Sequence, residues 1–146
     1  MKIEIDIDKK YNDVGVVVTA PELTPDIERI VSLMRMMDMQ IAVRRNEETI
    51  LLDTDTILYI EAVDRTTFVY TKDDTFESEL KLYEFEQQLP EKDFIRVSKQ
   101  SILNLRKVRS LRADINRKIR VTLLNGEQII VSRMYADNLR KRLGIK

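Results

Sequence analysis

The chain has 146 residues, with no Cys, no His and only three Gly. Without His or Cys the common zinc sites and the Cys-based or Ser–His nucleophiles cannot be assembled, and so few glycines make no phosphate-cradling loop, so neither catalysis nor a metal or other cofactor is expected. The net charge of zero hides a division: residues 1–91 carry 10 Lys and Arg against 21 Asp and Glu, a balance of −11, while residues 92–146 carry 15 against 4, a balance of +11. Such a split points to a basic surface that meets a polyanion; the plainer reading is two halves that pack together and interleave their charges.

No apolar run approaches the length of a membrane span. The opening "MKIEIDIDKK" is charged and alternating, unlike a signal or transit peptide. A cytoplasmic protein with no membrane partner and no evident small-molecule substrate is expected.

In that opening, Ile3, Ile5 and Ile7 alternate with charge, as in a strand with one buried face. "VGVVVTA" (14–20) reads as a second strand, with "YND" (11–13) as the turn of a hairpin. A helix follows, with Thr24 as N-cap, Pro25 in its first position and Asp26 in its first turn. Ile27, Ile30, Val31, Met34 and Met37 share one face, and the methionines Met34, Met36, Met37 and Met39 read as core filling.

From residue 40 the texture changes to short strands, near 40–44, 48–53, 57–63, 66–72, 75–79, 93–98, 107–113, 117–124 and 127–132. Asn125-Gly126 between the last two signals a hairpin, because both residues tolerate positive φ. Two short helices interrupt. One spans about 81–89, with Leu82, Phe85 and Leu89 inward and Pro90 closing it. The other follows Ser132 as N-cap, with Tyr135, Leu139 and Leu143 inward and Gly144 as its stop. Arg140, Lys141 and Arg142 suit the negative end of that helix dipole. Arg133, at the positive end, works against it and reads as a residue retained to touch an anion.

In "FIRVSKQSILNL" (94–105), Ile95 and Val97 on one side and Ile102, Leu103 and Leu105 on the other anchor the segment in the core. Lys99 and Gln100 are pushed outward between them. Together with "DTDTILYIEAVDRTTFVYT", "LYEFEQQLPEKDFIRVSKQSILNL", "KVRSL" and "LLNGEQIIVSRMYADNLRKRL", in that order, this segment resembles the LytTR-type DNA-binding domain of bacterial transcription regulators. The similarity runs from about Ile41 to Leu143.

The resemblance implies a mainly β fold, an elongated stack of small β-sheets with two short helices, over residues 41–146. A hairpin-plus-helix extension over residues 1–40 precedes it and is a possible dimerisation element. Those 40 residues are too short for the phospho-receiver domain that many members carry. Double-stranded DNA is the implied partner, read in the major groove from loops between strands, by a chain that forms a homodimer.

The reading positions implied are Arg65, Thr66 and Thr67 in the loop "VDRTT", Lys99 in the segment above, and Arg133 in the Ser-Arg turn. Ser98 and Ser101 would donate to phosphates. Gln100 departs from the family, which commonly has Ser there, and an amide can pair with adenine. Arg96 reads as structural, paired with a carboxylate, and Phe68 and Tyr70 as strand-face residues. Two other classes compete: an RNA-binding protein, or a protein-interaction module, using the basic C-terminal half. Asp53 with Asp55, and Asp73 with Asp74, read as turn residues rather than catalytic pairs.

Overall fold

We describe the protein from a computed structural model, over residues 1–37 and 39–145, excluding the side chains of Met36 and Met37. The chain divides into two compact units, Met1–Met34 and Arg35–Lys146.

The first unit departs from the expected hairpin. No strand forms among residues 1–24, and residues 1–23 are exposed throughout. Ile3, Ile5 and Ile7 are 79%, 82% and 91% exposed. A two-stranded hairpin with no third strand and no surface to cover is marginal in water. The helix α1, Pro25–Met37, does begin as expected: the Thr24 carbonyl accepts from the N–H groups of Ile27 and Glu28, both at 3.1 Å. Ile27, Ile30, Val31 and Met34 form its half-buried face. Of the methionines read as core filling, Met39 is 48% exposed, and the side chains of Met36 and Met37 lie outside the described residues.

The second unit is mainly β. It holds the strands β1 (Gln40–Arg45), β2 (Glu48–Asp53), β3 (Ile57–Val63), β4 (Thr66–Thr71), β5 (Thr75–Ser78), β6 (Phe94–Ser98), β7 (Ser101–Asn104), β8 (Val108–Ala113), β9 (Ile119–Leu123) and β10 (Gln128–Val131). Two helices interrupt them, α2 (Leu82–Gln88) and α3 (Arg133–Leu143). Seven strands pair in the order β2-β1-β5-β4-β3-β7-β6, and three in the order β10-β9-β8, all antiparallel.

At β3, β6 and β7 the large sheet is buried on both faces. On one, Ile57, Ile60, Val69, Phe94 and Ile102 pack with Leu82, Phe85 and Leu89 of α2 and its C-cap. On the other, Leu58, Ile95, Val97 and Leu103 meet Ile119, Val121, Leu123 and Val131 of the small sheet and Ala136 and Leu139 of α3. Fully burying an aliphatic side chain of this size contributes about 1.5–3 kcal/mol. Period-2 alternation therefore sends Ile102 and Leu103 into different cores, which fixes the register of β7 against a one-residue slip.

Several local expectations change. Ser101–Asn104, in which the sequence marks Ile102 and Leu103 as core anchors and the family resemblance Ser101 as a phosphate donor, is a strand. Ser132 occupies the N-cap position of α3 in an extended conformation but makes no side-chain cap bond; its carbonyl accepts from Tyr135 and Ala136 instead. Leu143 is 36% exposed, and Ala136 takes the inward position with Leu139. In the β9–β10 connection only Gly126 adopts positive φ, at 92°, while Asn125 accepts from the Glu127 N–H. Gly144, at φ 68°, ends α3 as expected: its N–H reaches the carbonyls of Arg140 and Lys141, and the Ile145 N–H that of Arg140.

Candidate nucleic-acid interface

Arg65 lies on the two-residue turn Asp64-Arg65, closed by the Val63–Thr66 pair of β3 and β4. Asp64 supplies the left-handed residue, φ 56°, which Asp tolerates better than a branched side chain does. Arg65 is exposed and Thr66 half-buried. Thr67 is 4% exposed, and its hydroxyl donates to the Leu80 carbonyl at 2.7 Å. That hydroxyl is committed to the fold, so Thr67 does not belong to a DNA-facing surface.

Lys99 and Gln100 form the tip of the β6–β7 hairpin, closed by the Ser98–Ser101 pair. Neither is left-handed. A register shift between Arg96 and Ser98 bends the strand there, adding twist that a left-handed turn residue would otherwise supply. Both tip side chains are exposed, and Ser98 and Ser101 are half-buried. The Ser98 hydroxyl accepts from the Gln100 N–H at 3.2 Å. Arg96 binds Glu86 of α2 at 2.8 Å and donates to the Lys99 carbonyl at 3.1 Å, so the turn is braced from behind. Arg96 is thus structural, paired with a carboxylate as expected.

Backbone bonds join these turns to Arg133. The Ala62 N–H of β3 donates to the Gln100 carbonyl at 2.8 Å, and the Ser132 N–H donates to the Val97 carbonyl at 2.9 Å. The turn carrying Arg65, the turn carrying Lys99 and the first residue of α3 therefore stand side by side at one end of the sheet. Among the described residues, Arg65, Lys99 and Arg133 form no ion pair, whereas Arg96, Arg106, Arg120 and Arg140 each hold a carboxylate. Three exposed cations outside any ion pair thus gather at that end, with Asp64 and Glu61 the acidic residues nearest to them in the turn and the strand below.

A groove of about 470 Å³ opens beside them, lined by Glu61, Ala62, Ser98, Gln100 and Ser101 on one side and by Gln128, Ile129 and Ile130 on the other. Tyr59 also lines it, stacked on Tyr70 with ring centroids 4.4 Å apart and donating to Glu127 at 2.9 Å. Burial, and then the bond to Glu127, push the Tyr59 phenol well above its ordinary pKa. Phe68 and Tyr70 are half-buried on β4, in keeping with strand-face roles.

The grouping of the three cations was legible only through the family resemblance. The hairpin itself had a signal: a four-residue polar interval, Ser98 to Ser101, between apolar flanks. Lys99-Gln100 lacks the Gly or Asn that usually marks such a turn, and so conceals it.

The family model described as the LytTr DNA-binding domain matches residues 47–144. An uncharacterised HTH-type transcriptional regulator of Staphylococcus aureus strain MSSA476 is 25% identical over 99% of each chain. Its counterpart in strain NCTC 8325 is 24% identical over the same shares. Among solved structures, the LytTr DNA-binding domain of a methyl-accepting/DNA response regulator from Bacillus cereus superposes with a TM-score of 0.70 and 29% identity, over 73% of this chain and 98% of that one. The relatives' names speak of a helix-turn-helix. In this chain strands separate the three helices, so no two described helices are joined by a short turn.

Proposed function

The chain belongs to the LytTR DNA-binding domain family, and on that premise we propose that it is a sequence-specific regulator of transcription that reads the major groove of double-stranded DNA from strand ends rather than from a recognition helix. The observation that carries this reading is the meeting of Arg65, Lys99 and Arg133, exposed and unpaired with carboxylates, on turns bonded to one another through the backbone. Lys and Arg pairing with guanine O6 and N7 is the commonest specific contact in that groove, and an amide such as Gln100 suits adenine. Ser98, Ser101 and Thr66 flank the tips and can donate to phosphates. The setting is the bacterial cytoplasm, where the DNA is.

Selection of bound duplexes from a random pool tests the reading. A shared motif is expected among the recovered sequences, with binding that weakens steeply as salt rises, by a slope of about −0.9 per phosphate neutralised. Recovery of no motif, or a flat salt response, sinks it.

The proposal includes a homodimer formed through the N-terminal unit. Ile3, Ile5 and Ile7 alternate with charged residues along the sequence and are exposed in the single chain, and exposed apolar residues grouped in this way tend to find a partner. In sedimentation the full chain should run in a heavier class than a form beginning at Arg35. Two monomers at micromolar concentration, with equal affinity for DNA, would remove the dimer.

A further inference from the structure

The connection between β8 and β9 holds two left-handed residues in succession. Asn116 and Arg117 both adopt left-handed conformations, at φ 58° and 63°. Asn tolerates this region; Arg does so at a cost that Gly would not incur. The loop is nonetheless tightly made. The Asp114 carboxylate accepts from the Ile115 N–H at 2.8 Å and from Arg120 at 3.1 and 3.2 Å. The Asp114 N–H donates to the Lys118 carbonyl at 2.9 Å, and the Lys118 N–H to the Ile115 carbonyl at 3.2 Å. The Ile115 N–H, and then Arg120, hold the Asp114 carboxyl below its ordinary pKa, as hydrogen bonds to the charged form do.

No contact among the described residues explains why Arg stands at the strained position. The side chains of Arg117 and Lys118 are exposed, and among the described residues neither makes a hydrogen bond or an ion pair. Strain held by surrounding structure and not repaid by a contact of the strained side chain marks a surface that meets something else. Its location says what. Ile119 pairs with Val131 at the end of the ladder, so the next step of the register sets Lys118 against Ser132, the residue before Arg133. The tip Lys99, the start of α3 and this loop then follow one another away from Arg65.

We propose that the loop Asp114–Lys118 is a fourth DNA contact, in which Arg117 and Lys118 grip the phosphate backbone on the flank of the site beyond Arg133. This rests on the DNA-binding reading above. Its occupant is the duplex backbone because the pair is exposed, cationic and next in line to the reading positions, and a phosphate contact needs charge and rigidity but no base-specific geometry. The loop thus adds affinity and register without adding sequence preference.

The test compares the full chain with Arg117→Gly, Lys118→Ala and Arg117→Lys on a selected duplex and on random DNA, across a salt series, with thermal melts. Arg117→Gly removes the left-handed penalty, so its melting temperature should equal or exceed that of the parent. Its affinity should nevertheless fall about five-fold near 0.15 M salt, equally on both DNAs, with the salt slope shallower by about 0.9. Lys118→Ala, at an ordinary φ of −78°, should do the same without touching the backbone. Arg117→Lys should keep the affinity. A merely structural loop gives the opposite pattern, stability lost and binding per folded molecule unchanged. Unchanged affinity and slope in both charge-removing variants overturn this proposal and leave the three-position reading standing. A parent chain that binds no duplex overturns both.

Discussion

Ile95 and Val97 alternate with polar residues just as Ile3, Ile5 and Ile7 do, yet only the first set lies in a strand. Around β6 the backbone has β7 to bond with, one face buried against the small sheet and α3, and the other against α2. Around Ile5 no strand runs alongside, and all three isoleucines face solvent. Alternation states which face a strand would bury. Whether the strand exists depends on a ladder partner and a surface to cover, and those are properties of the rest of the molecule.

The largest expected effect tests that contrast directly. Leu103, fully buried in β7, should cost about 2–5 kcal/mol when replaced by Ala, because the cavity left among β3, β6 and α3 side chains relaxes only in part. Ile5→Ala should stay within roughly 0.5 kcal/mol, as for any exposed position without a special contact. Urea midpoints of the two variants, taken in dilute solution, make the comparison. Equal losses would mean that residues 1–24 fold onto a surface after all. A loss for Ile5→Ala that grows with chain concentration would instead support pairing of two copies through that segment.

The second unit was largely legible because its signals are local. The end of α2 just before Pro90 and the stop of α3 at Gly144 each follow from one residue's backbone chemistry. What stayed hidden is relational. β7 escaped because Lys99-Gln100 turns without a left-handed residue, its twist taken up by a bulge two residues upstream. The side-by-side placement of Arg65, Lys99 and Arg133 depends on bonds from Ala62 to Gln100 and from Ser132 to Val97, 38 and 35 residues apart in sequence, which no local pattern encodes. Thr67 looked like its neighbour Thr66, and only the carbonyl of Leu80 distinguishes them.

The next effect down concerns what the braced end of the sheet does. Lys99→Ala and Arg133→Ala should each weaken binding to a selected duplex by about 1–3 kcal/mol and to random DNA far less. Arg140 sits two turns along α3 and is paired with Asp137 at 3.4 Å. Its replacement by Ala should lower both affinities alike and slightly. The folded state is checked by melts of each variant. If well-folded Arg133→Ala and Arg140→Ala lose specific and random binding in the same ratio, Arg133 is a phosphate contact rather than a base reader.

The smallest expected effect separates two ways of holding Arg133 in place. A serine at an N-cap normally contributes through its hydroxyl, and replacing it with Ala costs about 1 kcal/mol. Ser132 makes no such bond. What fixes this residue is its backbone: its N–H donates to Val97 at 2.9 Å, and its carbonyl accepts from Tyr135 and Ala136 at 3.0 Å each. Ala at this position retains all three, so Ser132→Ala should change stability by less than roughly 0.5 kcal/mol. Affinity for a selected duplex should change little as well, unless the hydroxyl itself reaches a phosphate, in which case binding to random DNA falls by the same factor. Ser132→Pro removes the N–H and cuts the tie to β6 while keeping an extended residue before the helix. It should therefore loosen Arg133 and lower specific binding more than random binding. A Ser132→Ala variant that loses a full cap's worth of stability would show that the hydroxyl, and not the backbone, anchors the start of α3.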